Sequence, residues 1–339
     1  MKKVLKSLLG ILSIFLLISC GKTDKKTLTI YTGLEEEYLN IYVEIYQKTH
    51  PEIELNIIRD SQGAIAAKVM AEGDNPQADV LWGMASVNLI QLAESNNLFE
   101  LKKEWYGENI NPIFIDSISP KPKWIGMTAW TSALTVNKYE IEKKGLEIPK
   151  SYMELLDSKY NNEIIMPNPA SSGTGYLTVL GWINIFGEEK AWEYMDKLNK
   201  NIIQYTHSGS APVKMTMQGE QAIGIGMDSE SMRLGKGNDA VVTILPSEGY
   251  GWDMEGVALI AKENIKPEAI EFFKWALSKE MMEEYSKNIG LVSYNGVETK
   301  LEGYPKDFKE KLAKIDFKWA SENRDRILKE WERRYGKGE

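Results

Sequence analysis

The chain has 339 residues, of which 43% are hydrophobic and 27% charged, and its formal net charge is -8. This composition excludes a disordered or collagen-like chain, and a mean hydropathy of -0.35 excludes a protein with many membrane spans. Because acidic residues outnumber basic ones and no basic stripe occurs, we expect no nucleic-acid partner. At roughly 150 residues per domain, the length predicts two domains.

The N-terminus has the pattern of a secretory signal peptide. A basic segment, residues 1–6, precedes an apolar segment, residues 8–18, which is shorter than the roughly 20 residues that span a bilayer. The following Leu-Ile-Ser-Cys-Gly resembles the lipobox of bacterial lipoproteins and contains the only cysteine, Cys20. The resemblance implies cleavage before Cys20, its lipidation, and a polar tether to a bacterial membrane. The alternatives are a plain secretory signal or a small buried thiol.

Strand and helix patterns alternate along the rest of the chain, as in a parallel sheet with helices on both faces. Strands are predicted at residues 27–32, 54–58, 79–82, 133–137, 163–166, 221–227 and 257–261. Helices are predicted at residues 35–50, 64–72, after 86, and at 152–156, 173–186, 188–199, 267–277, 280–288 and 320–335. The fold class is therefore α/β.

Signals for catalysis are weak. The sequence has no His-Glu-x-x-His, Gly-x-Ser-x-Gly or Walker motif, and its two histidines are His50 and His207. We expect His50 to cap a helix before a proline. A Ser171, His207 and Asp228 triad can be written down, but no strained nucleophile turn surrounds the serine. We predict a protein that is not an enzyme, with no catalytic residue, cofactor or metal.

The strongest site signal is the segment Pro167–Tyr176, which follows a predicted strand and opens a predicted helix. It contains a run of hydroxyl and glycine residues: Ser171, Ser172, Gly173, Thr174 and Gly175. Backbone N–H groups of a first helical turn have no partner within the helix, and the helix dipole adds positive potential. The segment therefore predicts a site for phosphate, phosphonate or carboxylate. A plain helix cap is the alternative, although one serine would suffice for it.

Several segments resemble the extracellular solute-binding proteins of ABC importers, in the branch of ferric-ion, 2-aminoethylphosphonate and hexose-phosphate receptors. The matching segments are residues 78–83, 148–160, 165–169, 172–174, 219–225 and 319–324. The resemblance implies a two-lobed periplasmic-binding-protein fold of type II, with ligand in a cleft between lobes joined by crossing strands. It also implies ABC permease and ATPase subunits as partners, and hinge closure around the ligand.

We divide the chain accordingly. The predicted boundaries are a signal peptide at 1–19, a lipidated tether at 20–26, lobe 1 at 27–123 and 255–339, lobe 2 at 132–246, and hinge crossings at 124–131 and 247–254. Loops that face the cleft in this fold would contribute Thr32, Gly33, Gly83 and Met84.

The residues after position 227 help to distinguish among the ligand classes of this branch. In ferric-ion receptors the strand that matches residues 222–227 leads into two adjacent tyrosines that bind iron, whereas this chain continues with Asp228, Ser229 and Glu230. That disfavours iron, although carboxylates could still bind it. An anion pocket facing these acids suits a ligand with a phosphate at one end and an amine or hydroxyls at the other. The two acids could instead belong to a solvated turn.

Two bipolar ligands then compete. For 2-aminoethylphosphonate, the acids would hold the ammonium and Trp130 or Trp252 could lie against it. For a sugar phosphate, the acids with His207 and Ser208 would bind ring hydroxyls, and a tryptophan would stack on the sugar face. His207 slightly favours the hexose phosphate, because an ammonium does not need a neutral donor and acceptor.

The sequence thus predicts a monomeric, lipid-anchored receptor in the periplasm or on the cell surface that captures a small phosphorylated solute. The alternatives are a ferric-ion receptor, a secreted phosphatase or hydrolase, and a sensor that signals ligand binding to a receptor kinase.

Overall fold

The computed structural model describes residues 26–336. The predicted signal peptide, Cys20 and nearly all of the tether lie outside the described residues. The ten strands of this part of the chain are β1 (Lys26–Thr32), β2 (Ile53–Arg59), β3 (Val80–Ala85), β4 (Trp124–Asn137), β5 (Ile164–Pro167), β6 (Ile202–Thr206), β7 (Ile223–Met227), β8 (Val241–Ile244), β9 (Trp252–Leu259) and β10 (Leu291–Val292).

The α-helices in the same range are α1 (Glu36–Thr49), α2 (Gln62–Glu72), α3 (Ser86–Glu94), α4 (Lys138–Lys143), α5 (Gly173–Phe186), α6 (Glu188–Leu198), α7 (Ala211–Met217), α8 (Asp228–Gly235), α9 (Pro267–Ala276), α10 (Lys279–Tyr285), α11 (Phe317–Glu322) and α12 (Arg324–Tyr335). None of the helices within residues 26–336 is long and apolar enough to cross a membrane.

One strand connects the two halves of the sheet. The strand order is β2-β1-β3-β9-β4-β7-β5-β6. The first part of β4, residues 124–131, pairs with β9, whereas residues 132–137 pair with β7 and β8. Strands β1, β2 and β3 are parallel to one another, as are β5, β6 and β7. Each half therefore has three parallel strands, to which β9, β4 and β8 add antiparallel pairs, and β4 runs from one half into the other.

The buried apolar residues form two clusters. The first draws on residues 28–129 and 254–285. The second draws mainly on residues 130–227 and 320–335. These clusters bury the apolar faces of the helices on each half of the sheet, which is what an α/β architecture requires.

The C-terminal helices differ from the sequence-based expectation. The single helix predicted at 320–335 is two helices, because α11 ends at Glu322 and α12 begins at Arg324, with Asn323 between them. Ile327, Trp331 and Tyr335 of α12 belong to the second cluster, although the predicted boundaries place them in lobe 1. Their apolar spacing shows that α12 buries one face, but it does not show against which half of the sheet.

Candidate functional site

A cavity lies between the two halves of the sheet, and the loops that follow several strands form its wall. Eleven residues line it: Gly33, Glu35, Arg59, Ser61, Gln62, Ser172, Gly173, Thr174, Ser208, Gly209 and Met227. Its free volume in this conformation is about 30 Å³, space for one or two water molecules. The first five residues lie at or just after the ends of β1 and β2, and the other six at or just after the ends of β5, β6 and β7. Carboxyl ends of parallel strands are the usual position for a ligand in α/β folds.

The N-terminus of α5 forms one wall of the cavity. Ser172 caps this helix, since its hydroxyl accepts a hydrogen bond from the Gly175 N–H at 3.2 Å. The N–H groups of Gly173 and Thr174 have no acceptor among residues 26–336. Ser172 and Thr174 are both nearly fully buried. Unpaired N–H groups and the helix dipole make this wall suited to an oxyanion.

A cation and a carboxyl group lie on the opposite wall. The Arg59 Nε donates to the Leu34 carbonyl at 2.8 Å, and its guanidinium lies 3.1 Å from the Glu35 carboxylate. Ser210 also donates to Glu35, at 2.9 Å. Burial raises the pKa of Glu35, while Arg59 and Lys214 act in the opposite direction. The wall therefore offers a positive charge to an anion and an acceptor to a donor.

Two of the predicted polar residues, Asp228 and Ser229, open α8 and are buried. Asp228 accepts from the Thr131 N–H at 3.0 Å and from the Tyr304 hydroxyl at 2.9 Å. Burial raises the pKa of Asp228. The Ser229 hydroxyl is buried without a partner among the described residues. Neither side chain lines the cavity.

Glu230, the second predicted acid, is fully buried. The Tyr38 hydroxyl donates to its carboxylate at 2.5 Å, and Arg233 contacts it at 2.9 Å. Tyr38 lies on α1 and Arg233 on α8, so this carboxylate joins the two halves of the molecule. The sequence pattern could not reveal these partners, because Tyr38 is 192 residues away.

The structure does not assemble the Ser171, His207 and Asp228 triad. The Ser171 hydroxyl donates to the backbone oxygen of His207 at 2.9 Å, not to its ring. The His207 ring is largely exposed and its Nε2 lies 3.4 Å from Asp60. His207 therefore lies beside the cavity and does not line it.

Neither predicted tryptophan lines the cavity. Trp130 is buried in the second cluster. The Trp252 indole donates to the Ala313 carbonyl at 2.9 Å and packs edge-on against Phe317. Among the described residues, the indoles thus serve packing and not ligand stacking in this conformation.

Of the four residues predicted in cleft-facing loops, one lines the cavity and three do not. Gly33 lines the cavity, whereas the buried Thr32 hydroxyl accepts from the Leu34 N–H at 3.1 Å. Met84 is buried in the first cluster. Gly83 lies within β3 at a shift in the pairing register, where it adopts φ +72°, and a Cβ there would lie 2.4 Å from the Leu34 side chain, so this position needs glycine.

Comparison with known proteins gives the family. The profile of the bacterial extracellular solute-binding proteins matches residues 42–309. The chain belongs to this family. An uncharacterised protein of Haemophilus influenzae is 29% identical over 333 residues, covering 95% of this chain and 94% of the relative. A Salmonella typhi protein with the provisional name 2-aminoethylphosphonate-binding periplasmic protein is 25% identical over 223 residues, covering 63% of this chain and 61% of the relative.

A solved structure agrees closely. The periplasmic binding protein AfuA of Actinobacillus pleuropneumoniae, with exogenous fructose 6-phosphate bound, superimposes with a TM-score of 0.84 at 27% identity. The alignment covers 93% of this chain and all of AfuA. The predicted type II periplasmic-binding-protein fold is confirmed. This solute-binding protein is the periplasmic component of an ABC importer, with permease and ATPase subunits as partners.

The cavity of this solute-binding protein gathers five of the predicted residues: Gly33, Ser172, Gly173, Thr174 and Ser208. Sequence reasoning missed Glu35, Arg59, Ser61, Gln62, Gly209 and Met227. The sequence did indicate Arg59, Ser61 and Gln62. They lie at the end of a predicted parallel strand, as do Thr32 and Gly33, which were predicted to face the cleft. Within residues 26–336, no group of three or more His, Cys, Asp or Glu side chains is arranged to hold a metal ion.

Proposed function

We propose that this solute-binding protein captures a small phosphorylated or phosphonylated organic solute in the cavity, with a hexose phosphate preferred over 2-aminoethylphosphonate. The observation that carries the proposal is the N-terminus of α5. Ser172, the free N–H groups of Gly173 and Thr174, and the Arg59 guanidinium all line one small cavity. Such a set of donors binds an oxyanion with several charge-assisted hydrogen bonds.

The hydroxyls around the cavity support a sugar at the other end of the ligand. Ser61 and Ser208 line the cavity together with the Glu35 carboxyl group. A hydroxyl both donates and accepts, as a sugar hydroxyl does, so these groups can pair with a ring. The solved AfuA complex with fructose 6-phosphate is consistent with this ligand class.

Glu35 also supports the second candidate, 2-aminoethylphosphonate. Its carboxylate is the acidic group that lines the cavity, and an ammonium would pair with it. The Salmonella typhi relative named for this compound is consistent with that alternative.

The proposal is tested by removing the hydroxyls of the α5 N-terminus. Ser172→Ala combined with Thr174→Ala should raise the dissociation constant of glucose 6-phosphate by about tenfold or more, because each hydrogen bond to a charged oxyanion contributes roughly 1.5–3 kcal/mol. The dissociation constant of glucose should hardly change. Calorimetric titration of both compounds measures the difference.

The control for lost helix capping is Ser278→Ala. Ser278 caps α10 in the same way, accepting from the Met281 N–H at 3.2 Å, but lies outside the cavity. The control should bind glucose 6-phosphate as the wild type does. If the double variant bound glucose 6-phosphate and glucose more weakly by the same factor, an anion site would be contradicted.

We further propose that the protein acts without catalysis and is anchored by lipid on Cys20. The lipobox-like sequence supports the anchor, and the unassembled triad supports a binding role. Radiolabelled palmitate should be incorporated into the wild type but not into Cys20→Ser. Labelling of both proteins to the same extent would contradict the anchor.

A further inference from the structure

The side chain of Gln62 is held in one orientation at the edge of the cavity. Gln62 opens α2, lines the cavity and is only 7% exposed. Its Nε2 donates to the Gly83 carbonyl and to the Glu255 carboxyl group, both at 3.2 Å. Because a backbone carbonyl can only accept, the amide nitrogen must face Gly83, and this fixes the position of Oε1.

The Gln62 Oε1 has no hydrogen-bond donor among residues 26–336, although it is buried. It faces the N-terminus of α5, since a Cβ built on Gly173 would lie 2.0 Å from it. Buried acceptors in folded proteins are nearly always paired, because losing the bond to water is costly. A group bound in the cavity, either water or the solute, would supply the missing donor.

The surroundings restrict what that donor can be. The N–H groups of Gly173 and Thr174 and the Arg59 guanidinium all favour an anion in the same cavity. A fully deprotonated oxyanion beside Gln62 would place two acceptor oxygens against each other. A phosphoryl group that keeps one proton satisfies both requirements, since it remains anionic and donates through its P–OH.

We propose that the Gln62 Oε1 accepts a hydrogen bond from a protonated phosphoryl oxygen of the solute, and that Gln62 thereby selects a proton-bearing anion over a proton-free anion of the same shape. This inference rests on the proposed function, because it requires the anionic end of the solute to lie in the cavity. It adds a specificity-determining residue to that function.

The test compares phosphorus compounds with their sulfur analogues. At about pH 5 a phosphate monoester keeps one proton, since its second pKa is about 6, whereas sulfate esters and sulfonates have none. Glucose 6-phosphate and glucose 6-sulfate then match in charge and shape, as do 2-aminoethylphosphonate and taurine. The measured quantity is the ratio of dissociation constants within each pair.

We expect the wild type to bind the phosphorus member of the pair about tenfold more tightly, the effect of one hydrogen bond to a charged partner. Gln62→Met and Gln62→Ala lack the acceptor and should lose most of this preference. Gln62→Glu keeps an acceptor oxygen and should retain the preference even if its absolute affinity falls. A purely structural role of Gln62 would not change the ratio.

The matched control is Gln91→Met. Gln91 is also partly buried and its amide donates to the Ser321 carbonyl at 3.5 Å, away from the cavity. This variant should keep the wild-type ratio. Thermal unfolding identifies any variant that does not fold, and Gln62→Ala replaces Gln62→Met if the latter fails.

The two proposals fail in different ways. If the wild type binds a phosphorus compound but binds its sulfur analogue equally well, or if both acceptor-free variants keep the preference, the role of Gln62 is overturned and the proposed function stands. If neither phosphorus compound binds while ferric citrate does, the proposed function fails, and the inference from it fails as well.

Discussion

At the scale of single residues, two buried carboxyl groups on β9 have raised pKa values. Burial raises the pKa of Asp253 to about 7 and the pKa of Glu255 to about 8. Hydrogen bonds oppose the shift in both, from Ser86 to Asp253 and from Thr128 to Glu255. Both groups therefore tend to keep their protons in the folded state at pH values where the unfolded chain loses them.

This predicts a pH dependence of stability with a definite sign. An unfolded glutamate has a pKa of about 4.3, so between about pH 4.3 and 8 the folded state holds a proton on Glu255 that the unfolded state has released. The stability that this proton contributes is fully present below that window and is lost as the pH rises through about 8. From about pH 5 to 8, the free energy of unfolding of the wild type should fall by about 3 to 4 kcal/mol more than that of Glu255→Gln.

Urea unfolding at both pH values measures this difference. Glu330→Gln is the control, because Arg333 and Arg334 lower the pKa of Glu330 to about 2, outside the window. The control should lose stability with pH as the wild type does. If the free energy of unfolding depended on pH identically in the wild type and in Glu255→Gln, the raised pKa of Glu255 would be contradicted.

Single residues also show how far sequence reasoning reaches. Ser172, Gly173 and Thr174 could be found because a helix start needs only local chemistry, and their excess of hydroxyls and glycines goes beyond what a cap requires. The partners of Asp228 and Glu230 could not be found, since Tyr304 and Tyr38 are distant in sequence. Burial among such partners decides whether a carboxylate faces a ligand.

At the scale of elements, strong local patterns gave reliable bounds. Helix α5 begins at Gly173 and ends at Phe186, as predicted, because a serine cap opens it and Gly187 at φ +81° ends it. Strand β9 begins at Trp252, five residues before the predicted strand. Its first residues, Trp252–Glu255, alternate apolar and acidic side chains, which fits a strand with one exposed face, yet Asp253 and Glu255 are buried. Their burial depends on tertiary contacts that alternation cannot reveal.

At the scale of the whole molecule, close contacts join the two halves around the cavity. Lys214 on α7 pairs with Glu37 on α1 at 2.8 Å. A Cβ on Gly63 of α2 would lie 2.8 Å from the Ala170 carbonyl, so only glycine permits this approach. We expect a solute to enter when these contacts open, with β4 and β9 as the strands that bend. This motion is a prediction from the topology, in which β4 belongs to both halves.

The central claim is that the cavity binds a phosphorylated organic solute, and a thermal-shift titration tests it most directly. The protein beginning at Gly21 would be heated with glucose 6-phosphate, 2-aminoethylphosphonate, inorganic phosphate or ferric citrate. A ligand that binds only the folded state at 100 times its Kd stabilises it by about 2.7 kcal/mol, which raises Tm. We predict the largest rise with glucose 6-phosphate, and recovery of that compound unhydrolysed. A rise with ferric citrate alone would contradict the account.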